Sequence, residues 1–237
     1  MNLKLKDQSR GVLLFAFNTD IDYVKIADLN AKCITKFLNL PITLVTDLDS
    51  ITDFKYDNVI RINQSRSNSR ILKGKGTVEW KNVDRYLAYE LSPYDHTLVL
   101  DVDYFIFNDS LLKLFELDYD YRLSYNMISI KGDTEFNYMN SCSLPQVWAT
   151  AFIFQKTLKS KTFFQLIKRI QLNYDYYRTL FEIRDTNFRN DFAFSMANII
   201  INGYCLDNTY NIPWPIVNID ESINAMDTNN QLLIVKT

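Results

Sequence analysis

Apolar residues in the first half of the chain form short runs, which alternate with a segment where apolar residues recur at helical spacing. Residues 12–17 are a run of this kind and predict a strand, and residues 42–46 and 58–62 predict two further short strands. Between the first two, a helix is predicted from about Asp22, with the apolar stripe Ile26, Leu29, Cys33 and Phe37. A strand–helix–strand unit of this length is typical of a parallel crossover.

A further apolar run ends in two carboxylates one residue apart. Residues 97–100 are Thr-Leu-Val-Leu, and Asp101, Val102 and Asp103 follow. The run predicts a strand buried on both faces, whose alternation would direct both Asp side chains to the same side. Two such carboxylates suit Mg²⁺ or Mn²⁺. The alternative is a strand that simply ends in a polar turn.

The segment that leads into this strand is basic. Residues 63–77 are polar and show no periodicity, which predicts a long loop that is either functional or disordered. Residues 79–91 predict a helix with the apolar stripe Trp80, Val83, Leu87 and Leu91. Lys81 and Arg85 would then lie on nearly the opposite side of that helix.

The second half predicts a mixture of strands and helices. Residues 121–129, 147–155 and 231–235 predict strands, and residues 157–181 and 192–202 predict helices. With the first half, this pattern indicates a single α/β domain with a mostly parallel central sheet flanked by helices. A Rossmann-like nucleotide-binding half would span residues 1–110, and a mixed acceptor-side half would span residues 111–237.

Composition excludes several classes of protein. Hydrophobic residues make up 47% and charged residues 23%, and the formal net charge is −2, so no global attraction to nucleic acid is indicated. No apolar run is long enough to span a membrane. Cys33, Cys142 and Cys205 are scattered and odd in number, which favours buried free thiols. We expect a cytoplasmic protein.

Polar residues follow three of the predicted parallel strands. Asn18, Asp47 and the Asp101/Asp103 pair would meet at one edge of the sheet, where open α/β folds bind ligands. Carboxylates there can bind ribose hydroxyls and a metal, whereas the nearby Lys81 and Arg85 can bind phosphate oxygens. Neither the dinucleotide fingerprint nor the P-loop motif is present.

Three segments carry a resemblance to a known family. Residues 12–18 with 45–47 resemble its first nucleotide-binding unit, and residues 85–103 resemble an arginine-bearing helix followed by an Asp-x-Asp strand. Residues 189–194 stand where the family places an acidic residue at the start of a late helix. The family is the GT-A glycosyltransferases, including glycogenin-like members. Most of the chain is also similar to glycosyltransferases encoded by tailed bacteriophages.

The resemblance implies a hexosyl- or pentosyltransferase that uses Mn²⁺ or Mg²⁺ and a nucleotide-diphosphate donor, of which a UDP-sugar is the first candidate. It implies that Asp103 is the main metal ligand and that Asp101 contacts metal or ribose. Donor contacts would come from Asn18, Asp47, Lys81, Arg85 and Trp148, and Asp191 would bind the acceptor or act in catalysis. The acceptor could be a glycan, a protein or a modified DNA base.

Other interpretations of these residues stay open. Asp47 could form a turn, Lys81 and Arg85 could be a solvated helix face, Asp191 could be a helix N-cap, and Trp148 could be core. Inversion would need a base such as Asp191, and retention would not. Two other functional classes also fit: a nucleotidyltransferase-like enzyme, and a non-catalytic nucleotide-sugar-binding protein with a degenerate GT-A fold.

The family commonly completes its metal site with a C-terminal histidine, which is not found here. The only histidine, His96, lies at the opposite end of the strand that carries Asp101, and we expect it in a surface turn. We therefore expect the metal to keep water ligands or to bind Asp220 or Asp227, and to bind weakly without nucleotide.

Overall fold

The computed structural model describes residues 9–64, 66–72, 76–129, 134–135, 138–139, 144–184, 187–205, 210–213 and 216–218. The strands are β1 (Arg10–Ala16), β2 (Ile42–Asp47), β3 (Asn58–Ile62), β4 (Asn68–Leu72), β5 (Gly76–Trp80), β6 (His96–Leu100), β7 (Tyr121–Ser124), β8 (Met127–Ser129), β9 (Thr134–Glu135), β10 (Trp148–Gln155) and β11 (Ile216–Asn218). The α-helices are α1 (Tyr23–Phe37), α2 (Ala88–Leu91), α3 (Leu158–Leu172), α4 (Tyr174–Leu180) and α5 (Asn190–Ile201). Two 3₁₀ helices span Arg85–Leu87 and Ser110–Glu116.

The central sheet has six strands in the order β3-β2-β1-β6-β10-β7. The first four are parallel to one another, and β10 is antiparallel to both of its neighbours. Five of the six strands therefore run in the same direction. This confirms the predicted α/β class with a mostly parallel sheet.

Helices cover both faces of this sheet. Alternate residues of β1 face opposite sides: Val12 and Leu14 pack in the same cluster as α1, whereas Leu13 and Phe15 pack with α3 and α5. Because both faces are covered, the central strands are largely apolar on both sides rather than alternating. The arrangement leaves the ends of the strands as the accessible part of the sheet.

The first crossover agrees closely with its prediction. The helix α1 begins after Asp22, whose carboxylate accepts a hydrogen bond from the Lys25 amide at 3.0 Å. Asp and Asn are favoured at this position because they satisfy a free helical amide. The strands β2 and β3 also lie where the sequence predicted them.

The predicted helix over residues 79–91 is wrong. Residues 76–80 instead form β5, which pairs with β4 in an antiparallel hairpin, so part of the predicted loop at 63–77 is regular structure too. A 3₁₀ turn then leads into the four-residue helix α2, which ends just before Pro93. Hairpin pairing with the preceding strand β4 overrides the helical spacing of residues 79–91 here.

Two other predicted elements are divided. The helix predicted over residues 157–181 is broken at Asn173, whose side chain donates to the Arg169 carbonyl at 2.9 Å and ends α3. The strand predicted over 121–129 is split into β7 and β8, which belong to different sheets. In each case a polar residue, Asn173 or Asn126, interrupts an otherwise periodic pattern.

Some expectations lie at or beyond the limits of this structure. Residues 231–235, Asp220, Asp227 and Cys142 lie outside the described residues. Cys33 and Cys205 are free thiols, but Cys33 is only half-buried and Cys205 is exposed, so the predicted burial of Cys205 is wrong. In the described part of the chain, no helix combines the length and apolarity needed to cross a bilayer.

Candidate active site

The predicted polar residues meet at the carboxyl edge of three adjacent strands. In the sheet, β1 lies between β2 and β6, so their carboxyl ends are neighbours. The backbone amide of Asn18, after β1, donates to the Asp47 carboxylate at the end of β2 over 3.1 Å. The Asn18 side chain accepts from the Val24 amide at 3.0 Å, which fixes the approach to α1.

Asp101 and Asp103 lie in a turn, not on an extended strand. The strand β6 ends at Leu100, and the Tyr104 amide donates to the Asp101 carbonyl at 3.0 Å. The Asp101 amide donates to the Thr150 carbonyl of β10 at 2.7 Å. Strand alternation therefore does not set the directions of the two carboxylates. Val102 is buried between them, and Asp103 is exposed.

A buried asparagine that the sequence prediction missed supports this turn. Asn30 on α1 is completely buried, and its side chain donates to the carbonyls of Asp101 and Tyr104 at 3.3 and 2.9 Å. Its position among the buried residues Ala27, Ala31 and Ile34 is the signal that could have identified it. A polar residue on an otherwise apolar helix face needs a partner when it is buried.

Arg85 is buried, so the interpretation of this residue as part of a solvated helix face is wrong. Its guanidinium forms an ion pair with Asp101 and donates to the Ala149 carbonyl. The hydrogen-bonding environment assigns the Asn82 amide oxygen to the side that faces Arg85, where it accepts from Nη2 at 2.8 Å and from Nε at 3.1 Å. Burial lowers the pKa of Arg85 to about 10, against the charges of Asp191 and Asp103, which raise it.

Asp191, near the start of α5, lies beside Ala149, the residue that also bonds Arg85. It is the second residue of α5, and Arg189 occupies the N-cap position, so the N-cap interpretation of Asp191 is wrong. One carboxylate oxygen accepts from the Ala149 amide at 2.9 Å, and the other accepts from Arg189 at 2.8 Å. Ala149 thus connects the two acidic elements, because its amide bonds Asp191 and its carbonyl bonds Arg85.

Lys81 and Trp148 are the sequence neighbours of Asn82 and Ala149, two members of this network. Lys81 is half-buried in the turn after β5, and its carbonyl accepts from the Gln64 side chain at 3.0 Å. Trp148 is the first residue of β10 and packs against the cluster on the α1 face. Its indole nitrogen is buried and has no acceptor among the described residues.

His96 is buried at the start of β6, and its predicted place in a surface turn is wrong. Its Nδ1 lies 3.1 Å from the Tyr119 hydroxyl, in an edge-on ring contact. Burial lowers the pKa of His96, and the Arg10 guanidinium adds to this effect while Asp95 opposes it. The residue therefore belongs to the core at the opposite end of the strand from Asp101.

The residues at this edge fit a divalent cation that is partly held by substrate. Within the described ranges, no cluster of three or more His, Cys, Asp or Glu side chains could hold a metal. The Asp103 carboxylate makes no hydrogen bond or ion pair to any described residue, and Asp101 is bonded through one oxygen. Mg²⁺ is usually held in this way, by one or two carboxylates together with phosphates and waters.

Comparisons with known proteins identify the fold. No protein-family model matches the sequence, and no curated protein is significantly similar to it. An active-site mutant of LgtC matches with a TM-score of 0.57 and 11% identity over 93% of this chain and 90% of that one. LgtC is a galactosyltransferase whose structure is known with donor and acceptor sugar analogs.

Two further glycosyltransferases match less well. GlyE from Streptococcus pneumoniae TIGR4 gives a TM-score of 0.43 and 15% identity over 82% of this chain, which spans only 44% of the GlyE chain. Mouse xyloside xylosyltransferase 1 gives a TM-score of 0.49 and 10% identity over 84% of this chain and 85% of that chain. The fold is that of the GT-A glycosyltransferases, as the LgtC match shows.

Proposed function

We propose that the protein is a glycosyltransferase that moves a sugar from a nucleotide-diphosphate donor, a UDP-sugar in the first instance, to an acceptor hydroxyl. The observation that carries this proposal is the meeting of two acidic elements at Ala149. The Asp101–Asp103 turn reaches that residue through Arg85, and Asp191 bonds its amide directly. They meet at the carboxyl edge of the sheet, where folds of this class bind nucleotides.

The nucleoside would lie over the ends of β1 and β2. Asn18 and Asp47 are both half-buried and are connected by the 3.1 Å hydrogen bond from the Asn18 amide. That bond uses one oxygen of Asp47, so the carboxylate keeps acceptor capacity for a ribose hydroxyl or a base N–H. Lys81 supplies a positive charge for the phosphates.

The diphosphate and a Mn²⁺ or Mg²⁺ ion would lie at the Asp101–Asp103 turn. Asp103 would be the direct ligand because it is exposed and uncommitted among the described residues, and Asp101 would contribute at short range. When bound, such an ion neutralises charge on the leaving nucleoside diphosphate. The protein's own task is to hold the turn rigid, which Asn30 and Thr150 do.

Asp191 would face the sugar being transferred and the acceptor hydroxyl. Its two bonds, from Ala149 and from Arg189, fix the carboxylate without using all of its lone pairs. A fixed carboxylate can orient a hydroxyl or accept its proton, provided that the hydroxyl comes within hydrogen-bonding distance. The candidate acceptors are a glycan, a protein or a modified DNA base.

A binding screen tests this proposal. Nucleotides and nucleotide sugars are added to the wild type and to Asp103→Asn with Mn²⁺ or with EDTA, and the thermal shift is measured. We expect stabilisation by a nucleoside diphosphate in Mn²⁺ only, and its loss in Asp103→Asn. Asp109→Asn is a matched control, because Asp109 is exposed on the same connection and its side chain caps no helix. Equal binding in EDTA would contradict the metal assignment.

A further inference from the structure

Arg85 lies at the centre of the site, but little of its side chain is accessible to a ligand. Only 5% of the residue is exposed. Four of its five N–H groups have acceptors: the Ala149 carbonyl, the Asp101 carboxylate and, twice, the Asn82 amide oxygen. An arginine that binds a diphosphate needs a free pair of donors facing the ligand. This guanidinium has at most one donor left.

The partners of Arg85 belong to three separate segments. Asp101 follows β6, Ala149 lies in β10, and Asn82 lies in the turn after β5. Asn82 is itself held from α5, since the Asn190 side chain donates to its carbonyl at 2.7 Å. A single buried cation therefore ties the acidic turn to the strand that carries Asp191's partner amide.

The ion pair also changes the charge that a metal would encounter. Two free carboxylates would present a charge of −2, but Arg85 cancels one of them. Asp103 has no ion pair among the described residues and alone of the pair is exposed, although the charge of Arg85 acts on it as well. A turn with a net charge of −1 attracts a divalent cation more weakly than a turn with a net charge of −2.

We propose that Arg85 is a positioning residue that fixes Asp101 and the start of β10 and cancels the charge of Asp101, so that the metal is held firmly only together with a nucleotide diphosphate. This deepens the proposed function and rests on it for the metal. It assigns Arg85 to the protein's own framework instead of to the donor contacts that the family resemblance implies.

Mn²⁺ titration without nucleotide, followed by electron paramagnetic resonance, provides the first test. Asp101→Asn leaves Arg85 uncompensated and should weaken Mn²⁺ binding by about tenfold, because a positive charge then faces the ion. The double variant Arg85→Met/Asp101→Asn replaces the ion pair with a neutral pair and should restore wild-type affinity. A double variant that binds Mn²⁺ no better than Asp101→Asn would overturn the charge-cancelling role.

Hydrogen exchange provides a second test that needs no metal. Arg85→Met should accelerate exchange of the Asp101 and Ala149 amides, and Arg85→Lys should do so less. Arg61→Met is the control, since Arg61 is an exposed cation near the carboxyl end of β3, outside this network. Unchanged exchange in Arg85→Met would overturn the positioning role. A wild type that binds no Mn²⁺ even with UDP would instead contradict the proposed function, and the exchange test would still decide on Arg85.

Discussion

Asn30, in the middle of α1, donates its side-chain amide to the carbonyl of Tyr104 at 2.9 Å, although 74 positions separate the two residues. The same amide reaches the Asp101 carbonyl at 3.3 Å, so one buried side chain holds both ends of the acidic turn. The rigidity of that turn is therefore determined partly by a helix that packs on one face of the sheet.

Replacing Asn30 should damage both stability and binding. Asn30→Leu keeps the volume but leaves the two buried carbonyls without this donor, which should cost about 1–3 kcal/mol of unfolding free energy. Metal-dependent UDP binding should weaken as well, because the turn loses its support. Urea unfolding and calorimetry measure the two effects. Lys32→Ala, an exposed change on the same helix, should alter neither by a comparable amount.

Asp191→Asn should reduce turnover far more than donor binding. The amide keeps an acceptor for Ala149 but loses the negative charge and the ion pair with Arg189. We expect kcat to fall by about 100-fold, as is typical when a positioned carboxylate is removed, with KM for the donor nearly unchanged. Asp175→Asn is the control, since Asp175 lies in an exposed ion pair with Arg178 on α4. Full activity in Asp191→Asn would exclude Asp191 from the chemistry.

Asp47 should contribute to nucleotide affinity through its charge. Asp47→Asn preserves an acceptor for the Asn18 amide, so the fold should be unchanged. If the carboxylate binds a ribose hydroxyl or a base N–H, the Kd for UDP should rise by about tenfold, the loss expected for one charge-assisted hydrogen bond. Titration calorimetry measures this, with Asp49→Asn, an exposed neighbour, as the control. Equal affinity in both variants would leave Asp47 as a turn residue only.

His96 should make the fold less stable in acid. Burial lowers its pKa below the usual 6.5, so the unfolded chain binds a proton at a pH where the folded protein does not. The contribution of His96 to stability is therefore greatest above pH 6.5 and is lost as the pH falls from there through the folded-state pKa. Between pH 7.5 and 5.0 the Tm of the wild type should fall more than that of His96→Gln. Parallel curves would contradict this.

The sequence predicted the first crossover well because its signals are local. The apolar positions and the helix start at Asp22 each act within a few residues, and the helix and strands lie where those signals predict them. The edge at which Asn18, Asp47 and Asp101 meet could be predicted for the same reason, since parallel strands order their carboxyl ends.

The interior of the site could not be predicted in this way. Glu79 and Trp80 pair with Ser69 and Asn68 across a hairpin, which no helical spacing reveals. Arg85 is buried only because Asp101, Ala149 and Asn82 converge on it from distant segments. A charged residue is normally solvated, so its burial follows from tertiary partners and not from its neighbours in sequence.

The most direct measurement is the release of nucleoside diphosphate from nucleotide sugars. The wild type, Asp103→Asn and Asp109→Asn are incubated with a panel of UDP-sugars in Mn²⁺ and in EDTA, without any acceptor, and free UDP is quantified over time. A glycosyltransferase should transfer the sugar slowly to water, so UDP should accumulate with the wild type and Asp109→Asn in Mn²⁺, and not with Asp103→Asn or in EDTA. Firm metal-dependent binding of a nucleotide sugar with no release of UDP would contradict glycosyl transfer and would identify a binding protein with this fold.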